Sequence, residues 1–132
     1  MVNILIATPD KNSLLEFSRG FGNNDIEVTW VKGCAEVELE IAENKFDLLI
    51  VDEILSDIKG LECIKKIVME NPFLNTAAIS SLSAKDFHEA SEGLGVLMEI
   101  PTNPGAEHGK KLLDYLNNIL NITNSDLNKK DK

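Results

Sequence analysis

The spacing of apolar positions changes several times along the chain, and each change marks an element. Residues 46–51, FDLLIV, are apolar except for Asp47. A short unbroken apolar run predicts a strand covered on both faces, as in a parallel sheet. Asp52 and Glu53 follow abruptly, and a loop runs to Lys59. From Gly60 the period becomes helical, with Leu61, Ile64 and Val68 on one face. Val2–Ala7, VNILIA, predicts a second buried strand. Pro9, which has no N–H to give a ladder, ends it. Leu14, Phe17 and Phe21 supply the apolar face of the next helix, Asp10 is placed to cap it, and Gly20 and Gly22 close it.

Ile26, Val28 and Trp30 alternate with Glu27 and Thr29, the pattern of a half-exposed strand at a sheet edge. The next stretch is ambiguous. Val37, Leu39 and Ile41 fit a strand, whereas Cys34, Val37 and Ile41 fit a helix. A parallel neighbour follows and needs a crossover, so a helix is expected over Ala35–Glu43. Asn71-Pro72 breaks the pattern, and Thr76–Leu82, TAAISSL, predicts a fourth strand. Phe87, Ala90 and Leu94 predict a short helix, and Val96–Ile100 a fifth strand that Pro101 stops. Asn103-Pro104 suits the start of a last helix, with Leu112, Leu113, Leu116, Ile119 and Leu120 as its core face. Residues 1–121 are expected to form one domain and residues 122–132 a polar, flexible tail.

Five β-then-α units in strict alternation predict an α/β fold, a three-layer doubly wound five-stranded parallel sheet. Right-handed crossovers gather the carboxyl ends of the strands on one rim, where open sheets bind ligands. That rim collects Thr8, Pro9 and Asp10, then Asp52, Glu53 and Ile54, then Ser83, then Ile100 and Pro101.

A net charge of −9 speaks against a nucleic-acid surface, which needs a basic patch. No apolar run approaches the roughly 18 residues of a membrane span, and no charged-then-apolar leader is present, so a cytoplasmic chain is expected. Cys34 and Cys63 make neither a disulfide framework nor a zinc pattern, and both are expected as buried thiols in a reducing compartment. Asp57 and Lys59 suit a solvated loop, and His88 and His108 lack metal-ligand spacing.

The run from the apolar strand through Asp52 to Gly60, Leu61 and Glu62 resembles the receiver domain of bacterial two-component response regulators, and the resemblance extends over residues 2 to about 121. It implies the flavodoxin-like strand order 2-1-3-4-5, with Asp52 as the aspartate that accepts a phosphoryl group from a histidine kinase. It also implies a hydroxyl after the fourth strand that contacts the phosphoryl group, matched by Ser83, and a Lys followed by a cis proline after the fifth. The Lys-Pro position is Ile100-Pro101, so a cis bond is expected there but the lysine is absent. The acidic pair that binds magnesium in the family falls on Thr8 and Pro9, with Asp10 just beyond. The aromatic switch position falls near Leu97.

A carboxylate attacking phosphorus needs the charge on the transferring oxygens neutralised. Magnesium on Asp52, Asp10 and the Ile54 carbonyl could serve, its binding weakened or lost where Thr8 and Pro9 stand; Asp10 capping its helix is the competing role. Glu53 is expected to point to the opposite face of the strand from Asp52. Ser83 suits a helix cap as well as it suits a phosphoryl contact. Two functions follow from the resemblance. One is a phosphorelay receiver with Asp52 as acceptor in a degenerate site. The other is a phosphorylation-independent pseudo-receiver that binds other signalling proteins. An enzyme is disfavoured, since the chain has no G-x-x-x-x-G-K-[ST] loop.

Overall fold

The computed structural model describes residues 1–22 and 25–130, with side chains described as far as Leu120. Its strands are β1 (Val2–Ala7), β2 (Ile26–Val31), β3 (Leu48–Val51), β4 (Asn75–Ile79) and β5 (Val96–Ile100). Its helices are α1 (Leu15–Arg19), α2 (Cys34–Glu43), α3 (Gly60–Glu70), α4 (Ala84–Ala90) and α5 (Ala106–Lys130). All four strand pairings are parallel, in the order β2-β1-β3-β4-β5. This is the expected doubly wound sheet, with half-exposed β2 at one edge.

The two faces of the sheet follow from strand alternation. Leu5, Ala7, Leu49, Val51 and Ala78 pack into one core with Val37 of α2, Cys63, Ile64 and Ile67 of α3 and Phe87 of α4. Ile4, Ile6, Leu48, Ile50, Ala77, Ile79 and Ile100 pack into the other with Phe17 of α1 and Leu112 and Leu116 of α5. Every residue of β3 is fully buried, as an apolar run without alternation requires. Each buried Leu or Ile contributes about 1.5–3 kcal/mol, so the central strands anchor the rim residues that follow them. Helices α1 and α5 meet backbone to backbone. A Cβ at Gly20 would overlap the Ala106 carbonyl oxygen, and one at Gly109 would overlap that of Phe17.

Several expectations are corrected. Cys34 and Cys63 are not free thiols but a disulfide, with Cα atoms 5.6 Å apart. Helices α2 and α3 lie on the same face of the sheet, and this brings together cysteines 29 residues apart in sequence, a proximity that spacing alone does not reveal. The Ile100–Pro101 bond is trans. A trans bond is the ordinary state of an X–Pro peptide, and the strand ends at Ile100 all the same. The first helix begins as a 3-10 turn at Lys11–Leu14, whose N-cap Asp10 makes no side-chain capping bond. β4 stops at Ile79, short of the expected Leu82. α5 opens at Ala106 rather than at Asn103-Pro104, because Asn103 takes a left-handed backbone, with φ 53°, and cannot cap. The Gly105 N–H is satisfied instead by Nδ1 of His108, 3.1 Å away. The α5 backbone is described as far as Lys130. Residues 131 and 132 of the expected tail lie outside the described residues. No described helix is long and apolar enough to cross a membrane.

Candidate functional site

The carboxyl ends of the strands bring the candidate residues to one rim. β3 ends at Val51, paired with Ala7 on one side and Ala78 on the other, so Asp52, Thr8 and Ile79 share a level. The Asp52 N–H donates to the Ala7 carbonyl at 2.8 Å, which extends the ladder by one step and fixes the backbone of the aspartate. Gly60, the first residue of α3, lies against that backbone. A Cβ there would overlap the Asp52 carbonyl oxygen, so only glycine lets the helix start so close.

Both Asp52 oxygens have partners. Oδ2 accepts from the Thr8 hydroxyl at 2.7 Å, and Oδ1 accepts from the Glu53 N–H at 2.7 Å. Thr8 is 2% exposed, and its oxygen also accepts from the Asp10 N–H at 3.0 Å. One buried hydroxyl therefore ties the end of β1 to the end of β3.

Glu53 reaches toward β4. Its carboxylate accepts from the Ser81 N–H at 2.7 Å and from the Ser81 hydroxyl at 2.9 Å. Ser83 is the N-cap of α4, its hydroxyl accepting from the Asp86 N–H at 3.1 Å. Of its two expected roles, the helix cap is the one its hydrogen bond makes. Ser80, the first residue after β4, is 6% exposed, and its hydroxyl accepts from the Leu82 N–H.

Asp57 is no mere solvated residue. It spans from the loop after β3 to the start of α2, where its carboxylate accepts from the Cys34 N–H at 2.8 Å and the Ala35 N–H at 3.0 Å. A further bond comes from the Ile58 N–H at 2.9 Å. These N–H groups, that of Cys34 foremost and then that of Ala35, hold the Asp57 carboxyl below the ordinary carboxylate value. Asp57 thus caps a helix that has only Gly33 at its own N-cap position. Lys59 forms an isolated antiparallel bridge with Ile54, which closes the loop on itself.

The other expected site residues lie apart from this network. The Asp10 side chain is exposed, and its backbone serves the turn through a bond from Ser13 Oγ to its carbonyl. Ile54 is 63% exposed at the loop surface. Ile100, which the resemblance matched to a lysine, is fully buried in the core with Leu112 and Leu116 of α5. Among the described residues, no group of three His, Cys, Asp or Glu side chains could hold a metal ion. Magnesium favours one or two carboxylates with water, and at this point of the rim Asp52 supplies one. The Thr8 hydroxyl hydrogen aimed at Asp52 Oδ2 occupies one of the lone pairs on which a cation would draw.

No family model matches the sequence, and no curated protein matches it. The structure, in contrast, is similar to solved receiver domains. A two-component response regulator from Clostridium difficile matches with a TM-score of 0.79 at 20% identity, over 92% of this chain and 99% of that one. The fold is that of a response-regulator receiver domain. A CheY-like receiver domain protein from Methanospirillum hungatei matches with a TM-score of 0.77 at 19% identity, over 96% of this chain and 98% of that one. The chemotaxis response regulator CheY4 of Vibrio cholerae matches with a TM-score of 0.77 at 16% identity, over 88% and 98%. The likeness is one of fold, carried at 16–20% identity in these three structures.

Thr8 as the partner of Asp52, Glu53 as the partner of Ser81 and Asp57 as a helix cap were all missed from sequence. The signal for Thr8 was present. Parallel pairing of β1 with β3 puts the residues that end the two strands side by side, and a threonine there can only donate to the aspartate or accept from a neighbour.

Proposed function

We propose that the chain is a receiver-type signalling module that docks protein partners without needing phosphoryl transfer to Asp52. The observation that carries this reading is the 2.7 Å bond from the buried Thr8 hydroxyl to Asp52. It satisfies the carboxylate with a neutral donor where phosphoryl chemistry needs a cation. Two further features support it. The Glu53–Ser81 bonds tie the rim of β3 to the rim of β4, and Ile100 offers no positive charge to a phosphoaspartate. On this reading the module acts in the cytoplasm, its partners are a histidine kinase or other signalling proteins, it has no enzymatic activity, and magnesium plays no part.

Asp52 is partly exposed on the rim, which favours a second reading in which it accepts a phosphoryl group, with Ser83 as the phosphoryl contact and magnesium on Asp52, Asp10 and the Ile54 carbonyl. Incubation with a small acyl phosphate and magnesium, followed by intact-mass measurement, separates the two. The first reading expects no mass gain and no amide shifts on adding beryllofluoride. A phosphoryl adduct lost in Asp52→Asn would overturn it.

A further inference from the structure

Beyond the rim, the Cys34–Cys63 disulfide lies beside the loop that follows Asp52. The two cysteines are held by the same five-residue segment that follows the site. Leu55 is buried in the core cluster that contains both sulfurs. Asp57 accepts from the N–H of Cys34, and the N–H of Cys63 donates to the Lys59 carbonyl at 3.0 Å. The Ser56 N–H donates to the Lys32 carbonyl at 3.0 Å, just ahead of α2. Cys34 and Cys63 are 2% and 0% exposed, so a reagent reaches the sulfurs only when the packing around them, Leu55 included, opens. The segment starts three residues after Asp52.

We propose that Cys34 and Cys63 are a thiol–disulfide couple that latches the loop of residues 53–59, and with it the surface beside Asp52. This goes beyond the docking role proposed above and does not depend on it. Where a compartment keeps thiols reduced, the disulfides that occur are mainly transient, redox-sensing bonds. The oxidant is a small-molecule disulfide. The thiolate of one cysteine attacks a sulfur of the reagent, forming a mixed disulfide and releasing one small thiolate. The second cysteine, also as thiolate, attacks the protein sulfur of that mixed disulfide and releases the second small thiolate. The Cys34–Cys63 bond is formed, the reagent's S–S bond is broken, and the two protons from the cysteines end on the two small thiols. Reduction by a small dithiol runs the same exchange backwards.

Because the loop is bonded to the backbone at both cysteines and buries Leu55 beside them, its opening and reduction of the disulfide are linked. Whatever weakens the cover speeds reduction, and reduction frees the cover. The test follows the full chain in oxidised form and after treatment with dithiothreitol, by amide hydrogen exchange and by thiol counting. Reduction should raise exchange at least tenfold at residues 33–36 and 53–59 while leaving β1 and α5 protected. Asp57→Asn, which weakens the bonds to the Cys34 and Ala35 N–H groups, should be reduced several-fold faster than wild type. Unchanged exchange in the loop, or wild-type reduction kinetics in Asp57→Asn, would overturn the latch. Global loss of protection on reduction would overturn it too, since the bond would then be a plain structural staple. None of these outcomes bears on whether Asp52 takes a phosphoryl group.

Discussion

Replacing Thr8 with valine keeps the shape of the side chain and removes one hydroxyl. That oxygen serves two bonds, donating to Asp52 Oδ2 at 2.7 Å and accepting from the Asp10 N–H at 3.0 Å. A hydrogen bond to a charged group contributes about 1.5–3 kcal/mol and a neutral one about 0.5–1.5 kcal/mol. Both must be discounted. Asp52 is partly exposed, so water replaces part of what the hydroxyl gave. Valine also suits a site that is 2% exposed better than a hydroxyl does. The net loss expected for Thr8→Val is about 1–2 kcal/mol, or roughly 4–8 °C in Tm for a domain of this size. Trp30, the single tryptophan, reports unfolding in urea by its fluorescence. Thr8→Ser keeps the oxygen and should stay within about 1 kcal/mol of wild type, the cost of a lost methyl group. A double-mutant cycle with Asp52→Asn isolates the pair, and coupling of about 0.5–3 kcal/mol is the expected signature of groups in contact. A Thr8→Val protein as stable as wild type, or a coupling of zero, would refute the claim that this hydroxyl holds the aspartate.

Asp57 gives a pH signature. Its folded pKa lies below the ordinary 3.8, so its stabilising effect is complete well above 3.8 and is lost as the pH falls through the folded value. Asp57→Asn should therefore be less stable than wild type near neutrality, with the gap closing in acid urea titrations below that pH. Gly109→Ala should destabilise despite the better helix propensity of alanine, because its Cβ would overlap the rigid Phe17 carbonyl. A loss of about 1–3 kcal/mol in thermal melts is expected, and a gain would mean that α1 and α5 can separate freely.

The sheet was legible in the sequence for a physical reason. Strands buried on both faces must be apolar throughout, and Leu48–Val51 and Val2–Ala7 leave little else to read. The place of Asp52 follows from that, since a carboxylate cannot stay inside such a strand. The contacts across the rim were harder. Glu53 was expected to point to the opposite face of the strand from Asp52, and its bonds to Ser81 at the end of β4 were not foreseen. Asp57 bonds to N–H groups 22 and 23 residues earlier, and Cys34 pairs with a sulfur 29 residues later. Such pairings depend on how two helices pack on one face, and no local spacing encodes that. Asp10 shows the opposite error, because a residue suited to capping met a 3-10 turn that its side chain does not cap.

The bond between Cys34 and Cys63 closes the chain into a covalent ring, and β3 and Asp52 lie inside it. A pull on the two ends of the oxidised protein can straighten only what lies outside the ring. The 29 residues of that separation hold back about 100 Å of contour length, which appears only after reduction. However far the rest of the chain is drawn out, Asp52 then remains in a short closed circuit that includes part of α3, never in an open strand.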